Sequence, residues 1–278
     1  MSSPAELYLH SLSIAFDMVK NILATVRADL GRLYLAVDAG CGPGNYIKPL
    51  LSIMSPGGKV VAIDSSQEML DLLRQKQSPS NLKKLLIANA KIEEMDGLVH
   101  DADLVLCASS LQFTDVPTAF NAIYASLAHH GVLVFSMPMG LAGILEENPE
   151  GAYAAFQEVF HYNLKEEVSK RAPGYSLANV AVMRPDRTIT QFLTPCSDAG
   201  FVFTASYVAL QIVPASKLGV HLSVPWRVDR FIPGLEHKIQ QECMRRAIDK
   251  SLNHMKFDKN FPFKREIGYV VAKKGLVR

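Results

Sequence analysis

The chain is poor in the residues that would announce several common functions. Only four of its 278 residues are cysteines, at 41, 107, 196 and 243, and they form no CxxC pair and no Cys/His cluster. That scatter argues against a disulfide framework and against zinc. No His, Asp or Glu spacing points to a metal site. There is a single tryptophan, Trp226. Charge of one sign is also missing: 29 Lys and Arg against 27 Asp and Glu leave a net charge of +2. That is too little to draw a nucleic acid or an anionic membrane surface. No apolar run approaches the length of a membrane span, and the N-terminus has no basic stretch leading into an apolar segment. A cytoplasmic, reducing compartment is therefore expected. No internal repeat and no low-complexity linker interrupts the chain.

What is present is a large apolar fraction, 49%, with 20% charged residues. That composition supports one sizeable core, either a single large domain or a domain with a cap. Apolar, β-rich runs at 33–39, 59–66, 83–90, 101–110 and 131–138 read as five strands. Between them lie helical segments at 45–54, at 66–77 with Ser65 or Ser66 as N-cap, and at 117–130, where Pro117 and Gly131 look like helix punctuation. Alternation at this spacing gives a parallel, doubly wound α/β sheet. The pattern then changes. Residues 139–187 carry a helical stretch and a Pro/Gly-marked loop with no evident strand. A helix and strand return over 188–213, residues 214–233 read as loop, a long amphipathic helix covers about 234–256, and "EIGYVVAKK" (266–274) is a last strand. The N-terminal segment 1–30 is amphipathic, with Leu7, Ile14, Met18 and Ile22 among its apolar positions.

The stretch "AVDAGCGPGNY" (36–46) places three glycines in five positions directly after the first strand. In open α/β folds that edge of the sheet is where ligands bind. Glycine lets the backbone turn sharply and approach a ligand closely. The spacing is G-x-G-x-G; the dinucleotide fingerprint needs a glycine where Asn45 stands, and Pro43 removes an N–H, so NAD is disfavoured. A tight turn with no ligand remains the plain alternative. Asp64 ends the second strand, twenty residues after Gly44. An acid there can take a ribose diol, or it can simply cap the next helix.

Together, "VDAGCGPGNY", "VVAIDSSQEML" and "ADLVLCASSLQF" resemble the class I S-adenosylmethionine-dependent methyltransferases. "SSLQFTDVPTAFNAIYASLAHHGVLVFS" is similar to their small-molecule branch around trans-aconitate and malonyl-carrier-protein O-methyltransferases. The resemblance covers 33–138, returns for the terminal strands, and is weak elsewhere. It implies a Rossmann-like doubly wound seven-stranded sheet with the last strand antiparallel, plus helical cap or lid insertions at 139–187 and 214–262. It implies S-adenosyl-L-methionine as cofactor and S-adenosyl-L-homocysteine as product. Carried over by motif, Gly40, Gly42 and Gly44 would border the methionine part, and Asp38 would organise the loop near the amino group. Asp64 would hold the ribose, and Ser65 and Met69 would lie beside the adenine. Many members have an acid after the third strand; here Asn89 stands there, or Ala90 if the register slips by one. Ser109 would face the methionine moiety, with an ordinary loop serine as the alternative.

Methyl transfer to a small-molecule acceptor is the expected reaction. A general base, where one is needed, must come from the less familiar regions, and His161 and His221 are the candidates. Tyr8, Tyr162, Tyr175 and Trp226 are candidate acceptor-binding side chains. The Met, Phe, Tyr and Pro content of the insertions favours an apolar acceptor, while Arg171, Arg184 and Arg187 keep a carboxylate open. His10, His129 and His130 are expected at the surface. A non-methylating reaction such as cyclisation would show the same cofactor motifs. A non-catalytic partner would show a degenerate glycine loop, and this one is intact. Nucleic-acid methylation is disfavoured because "ASSLQF" stands where [ND]-P-P-[YF] would.

Overall fold

The computed structural model describes residues 16–138, 152–180, 189–215, 228, 231–258 and 261–275. Seven strands, β1 (Leu35–Ala39), β2 (Lys59–Asp64), β3 (Leu85–Asn89), β4 (Ala102–Ala108), β5 (Leu127–Pro138), β6 (Phe201–Pro214) and β7 (Pro262–Lys274), form one sheet in the order β3-β2-β1-β4-β5-β7-β6. β1 to β5 pair in parallel, and β7 runs antiparallel to β5. The chain moves outward from β1 to β3, then crosses back to enter β4 on the other side of β1. The strand order therefore reverses between β1 and β4, and the crevice at their carboxyl ends is the switch point where such sheets bind ligands.

The central strands are buried on both faces, as their unbroken apolar runs require. Residues 36–39 of β1 and 104–107 of β4 are all buried. Val37, Val105, Leu133 and Phe135 face one core with Phe120 and Ile123 of α5 (Val116–Ser126) and Phe192 and Cys196 of α7 (Thr190–Asp198). Successive strand side chains alternate faces, so Asp38, between Val37 and Ala39, points to the other side. The remaining helices are α1 (Phe16–Leu30), α2 (Ile47–Ile53), α3 (Gln67–Lys76), α4 (Pro79–Leu82), α6 (Ala152–Arg171) and α8 (His237–His254). Val19, Ile22, Leu23 and Val26 make α1 an apolar stripe at helical spacing. Leu7 and Ile14 lie outside the described residues.

Several local expectations are corrected. The helix expected to run to residue 130 stops at Ser126, and β5 begins at Leu127. Gly131 is no helix terminus but sits inside the strand, within a register slip that sets Ala102 opposite Leu127 and Leu104 opposite Val132. A Cβ at 131 would come within 2.8 Å of the Ala102 carbonyl oxygen, so glycine is there for close approach of two backbones. Positions 215, 228 and 231 are helical where a loop was expected. The short helix α4 and the 3-10 helices at Ile92–Gly97 and Leu111–Phe113 were not foreseen.

The chain divides into two compact units. The first takes its described residues from within 15–139, 187–209 and 267–278 and holds β1 to β5. The second draws on 140–186 and 210–266 and is built on α6 and α8. Phe156, Phe160, Leu164 and Val168 line one stripe of α6 and meet Cys243, Met244, Ala247 and Ile248 of α8. Asn163 donates to Ser251 Oγ at 2.9 Å, and the buried Glu167 pairs with Arg171 of its own helix and Lys250 of α8. These polar links fix the register of two helices that packing alone would let slide.

Candidate cofactor site

The site begins where β1 ends. Gly40 N–H and Cys41 N–H both donate to the Ile63 carbonyl, at 2.8 and 2.9 Å, so the loop folds at once toward β2. Gly44 N–H then closes a turn onto Cys41 O at 3.0 Å. Gly40, Gly42 and Gly44 all have positive φ, at 73°, 52° and 78°. The glycines at 40 and 44 also serve packing. A Cβ at 40 would lie 2.3 Å from Ser110 Cβ, and one at 44 would lie 2.8 Å from Leu73 Cγ of α3. The loop is thus pressed between the segment after β4 and the helix after β2.

Asp64, at the end of β2, ties this loop to the next. Its Oδ2 accepts from Gly42 N–H at 2.7 Å and its Oδ1 from Ser66 N–H at 2.9 Å. The N-cap of α3 is Ser66, whose hydroxyl accepts from Met69 N–H, so Asp64 is not the cap. Burial raises the Asp64 pKa, and the two backbone donors oppose the rise. Asp64 is half-buried, which leaves lone pairs on both oxygens for further donors. Ser65 is exposed and Met69 is half-buried.

Asn89 stands opposite Asp64 in the β2–β3 register. Its Nδ2 donates to the Asp64 carbonyl at 3.0 Å, and Ala90 N–H reaches the same oxygen at 3.2 Å. The exposed Asn89 side chain therefore presents Oδ1 as an acceptor and its second N–H as a donor. Ser109, after β4, has φ of 56°, uncommon for a residue with a side chain. Its N–H donates to Ser136 O of β5 at 3.0 Å. Ser110, which sequence reasoning passed over, is the serine whose side chain meets the glycine loop: its hydroxyl donates to Ala39 O at 2.8 Å. Two adjacent serines at a strand end carry no signal that separates these roles.

Asp38 is the electrostatic anomaly. It is 1% exposed, and neither carboxylate oxygen has a hydrogen-bond partner among the described residues. Burial first, and the neighbouring Asp64 charge second, push its pKa up to about 8. An ionisable group buried without a partner is costly. A cationic ligand group would remove that cost, so the chemistry of the site fits the ammonium of an amino-acid moiety. Asp64 and Asn89 beside it fit hydroxyl and amine donors.

The other predicted residues lie in the second unit or outside the described residues. His161 and Tyr162 follow Phe160 on α6; His161 is half-buried and Tyr162 is 71% exposed. The Tyr175 hydroxyl donates to Pro233 O at 2.8 Å, and its ring packs on that unit's core. Tyr8, His221 and Trp226 fall outside the described residues. His129 and His130 are exposed, as expected.

Residues 36–131 match the family described as a methyltransferase domain. A trans-aconitate 2-methyltransferase from Paracidovorax citrulli is 32% identical over 113 residues, 40% of this chain and 42% of that protein. A malonyl-[acyl-carrier protein] O-methyltransferase from Acetivibrio thermocellus is 35% identical over 101 residues, 36% of this chain and 34% of that one. The chain thus matches about two fifths or less of the length of these relatives. The solved structure of the [4+2]-cyclase SpnF has the same fold, with a TM-score of 0.51 at 13% identity over 93% of this chain and 81% of that one. A shared fold does not fix a reaction. The matched segment holds the glycine loop, Asp64, Asn89 and Ser109, and over it the chain resembles the class I S-adenosylmethionine-dependent methyltransferases of the small-molecule branch.

Proposed function

We propose that the chain binds S-adenosyl-L-methionine and transfers its methyl group to a small-molecule acceptor. The observation that carries this reading is Asp38, a buried carboxylate with both oxygens unpaired at the foot of the glycine loop. NAD offers no ammonium to that carboxylate; the methionine moiety does. Asp64 would take the ribose hydroxyls while keeping its bonds to Gly42 and Ser66, and Asn89 would take the adenine amino group.

When bound, the cofactor supplies a methyl group already activated on a sulfonium. The chain must then hold an acceptor in line with that bond and keep water out. We assign acceptor recognition to the second unit, which carries the chemistry the cofactor motifs do not use. His161 and His221 are the proposed bases for an acceptor whose proton must leave. Tyr8, Tyr162 and Trp226 are proposed contacts; for Tyr175 the ring is the available part, since its hydroxyl is bonded to Pro233.

Calorimetry with S-adenosylmethionine and with NAD tests the cofactor. Binding of NAD alone would overturn the reading. Once an acceptor is in hand, release of one S-adenosylhomocysteine per product distinguishes methyl transfer from a cyclisation that only borrows the cofactor.

A further inference from the structure

Among the described residues, two side chains hold buried oxygens with no hydrogen-bond partner: Asp38, and Gln112 through its Oε1. Gln112 lies on the one-turn helix Leu111–Phe113 that follows β4. Its Nε2 donates to Ser109 O at 2.7 Å. A carbonyl oxygen can only accept, so the amide end must face Ser109 and Oε1 must face away. The orientation of the orphan oxygen is therefore fixed by the protein.

The segment that carries it is braced. Ser109 N–H is bonded to Ser136 O of β5, and the Ser110 hydroxyl to Ala39 O, one residue beyond Asp38. Both orphan groups thus belong to the same edge of the sheet, over the β1–β4 switch point. A side chain on a loose loop would turn such an oxygen to water. A buried carbonyl oxygen held without a donor is uncommon and marks a place where a donor arrives from outside the fold.

We infer that Gln112 is a cofactor-positioning residue whose Oε1 accepts a hydrogen bond from the ammonium of the bound methionine moiety. The inference rests on the proposed cofactor. Of the groups at that end of the cofactor, the carboxylate can only accept and the sulfonium has no proton to give. The ammonium has three N–H donors, and Asp38 and Gln112 together offer three oxygens without partners.

Gln112→Met keeps the length of the side chain and removes the acceptor together with the Nε2 bond to Ser109 O. Three measurements test it: calorimetric affinity for S-adenosylhomocysteine, affinity for 5′-methylthioadenosine, which lacks the amino acid, and thermal unfolding without ligand. We expect S-adenosylhomocysteine to bind at least about tenfold more weakly, since a hydrogen bond to a charged group is lost. Methylthioadenosine binding should not change. The melting temperature should fall only slightly, because loss of the bond to Ser109 O is offset in part by removal of a buried oxygen without a donor. An unchanged affinity for S-adenosylhomocysteine overturns the inference. So does equal weakening of both ligands, which would make Gln112 a packing residue. If the wild-type protein binds S-adenosylhomocysteine and only the variant result fails, this inference alone falls; if the wild type binds neither ligand, the proposed cofactor falls with it.

Discussion

Gly42 N–H donates to Asp64 Oδ2 at 2.7 Å, so the carboxylate assigned to the ribose also holds the glycine loop in place. Because the other oxygen takes Ser66 N–H, one side chain joins the loop after β1 to the helix after β2. The two halves of the proposed nucleoside site are therefore built as one object. Binding and local stability at Asp64 are coupled by that geometry.

Asp64→Ala should accordingly fail twice. It removes two charge-assisted bonds to backbone N–H groups, worth roughly 1.5–3 kcal/mol each at most. The melting temperature should fall, and affinity for S-adenosylmethionine should drop at least about tenfold. Asp64→Asn separates the effects. Its amide oxygen can keep one backbone bond, while the amide nitrogen loses the other and cannot accept a ribose hydroxyl. Calorimetry should show Asn nearly as weak a binder as Ala, but unfolding should show it more stable. A stability loss with intact affinity would confine Asp64 to the loop.

Asp38 should make both stability and binding depend on pH. Burial pushes its carboxyl up to about 8 in the folded chain, from an ordinary 3.8. The folded state therefore holds a proton that the unfolded chain has lost. That contribution to stability is complete below about pH 4 and disappears as pH rises through 8, with a slope of at most about 1.4 kcal/mol per unit. Asp38→Asn should flatten this slope in urea titrations between pH 5 and 8. Ligand binding runs the other way. The ammonium favours ionised Asp38, so affinity for S-adenosylhomocysteine should climb between pH 6 and 8 and then level off. Calorimetry at several pH values checks it, and a flat profile would remove Asp38 as the ammonium's partner.

How much of this was legible in the sequence follows from range. β1, β2 and β4 lie close to their expected bounds because a strand buried on both faces is written as a continuous apolar run. The glycine loop and Asp64 were legible because they are local to a strand end. The border between α5 and β5 was not. Gly131 has the look of a helix terminus, and only the neighbouring β4 shows that it is a point of backbone contact. Gln112 could not be found either. An oxygen is orphaned by what surrounds it, and the sequence shows only a glutamine after a leucine.

Gly44 gives the sharpest test of the loop's packing. Gly44→Ala places a methyl where Leu73 Cγ stands at 2.8 Å, on a backbone with φ of 78°. Overpacking of this kind costs about 1–3 kcal/mol, and the backbone conformation adds about 1–2. Leu73→Ala alone should cost about 2–5 kcal/mol, since Leu73 is fully buried. In the double variant the clash is gone but the backbone strain remains. Urea unfolding of the four proteins should thus give a coupling of about 1–3 kcal/mol in favour of the pair. Simple additivity would mean that Leu73 moves aside at no cost.

The second unit offers a way to separate a base from a strut. Tyr175→Phe removes one hydrogen bond to Pro233 O and should cost about 0.5–1.5 kcal/mol of stability. Tyr162, at 71% exposure, can be replaced by Ala with a change within about 0.5 kcal/mol. Neither change should alter cofactor affinity, because Asp38, Asp64 and the glycine loop belong to the first unit. His161→Ala is the informative partner of these two. A general base contributes about 10²–10⁴-fold to the rate of the proton-coupled step, and an orienting or packing histidine far less. Single-turnover rates with saturating S-adenosylmethionine and an identified acceptor read this directly. We expect a loss of at least about a hundredfold for His161→Ala or for His221→Ala, at unchanged cofactor affinity. If both variants stay within about tenfold of the wild type, the acceptor reacts without a histidine base, and alignment and exclusion of water carry the rate.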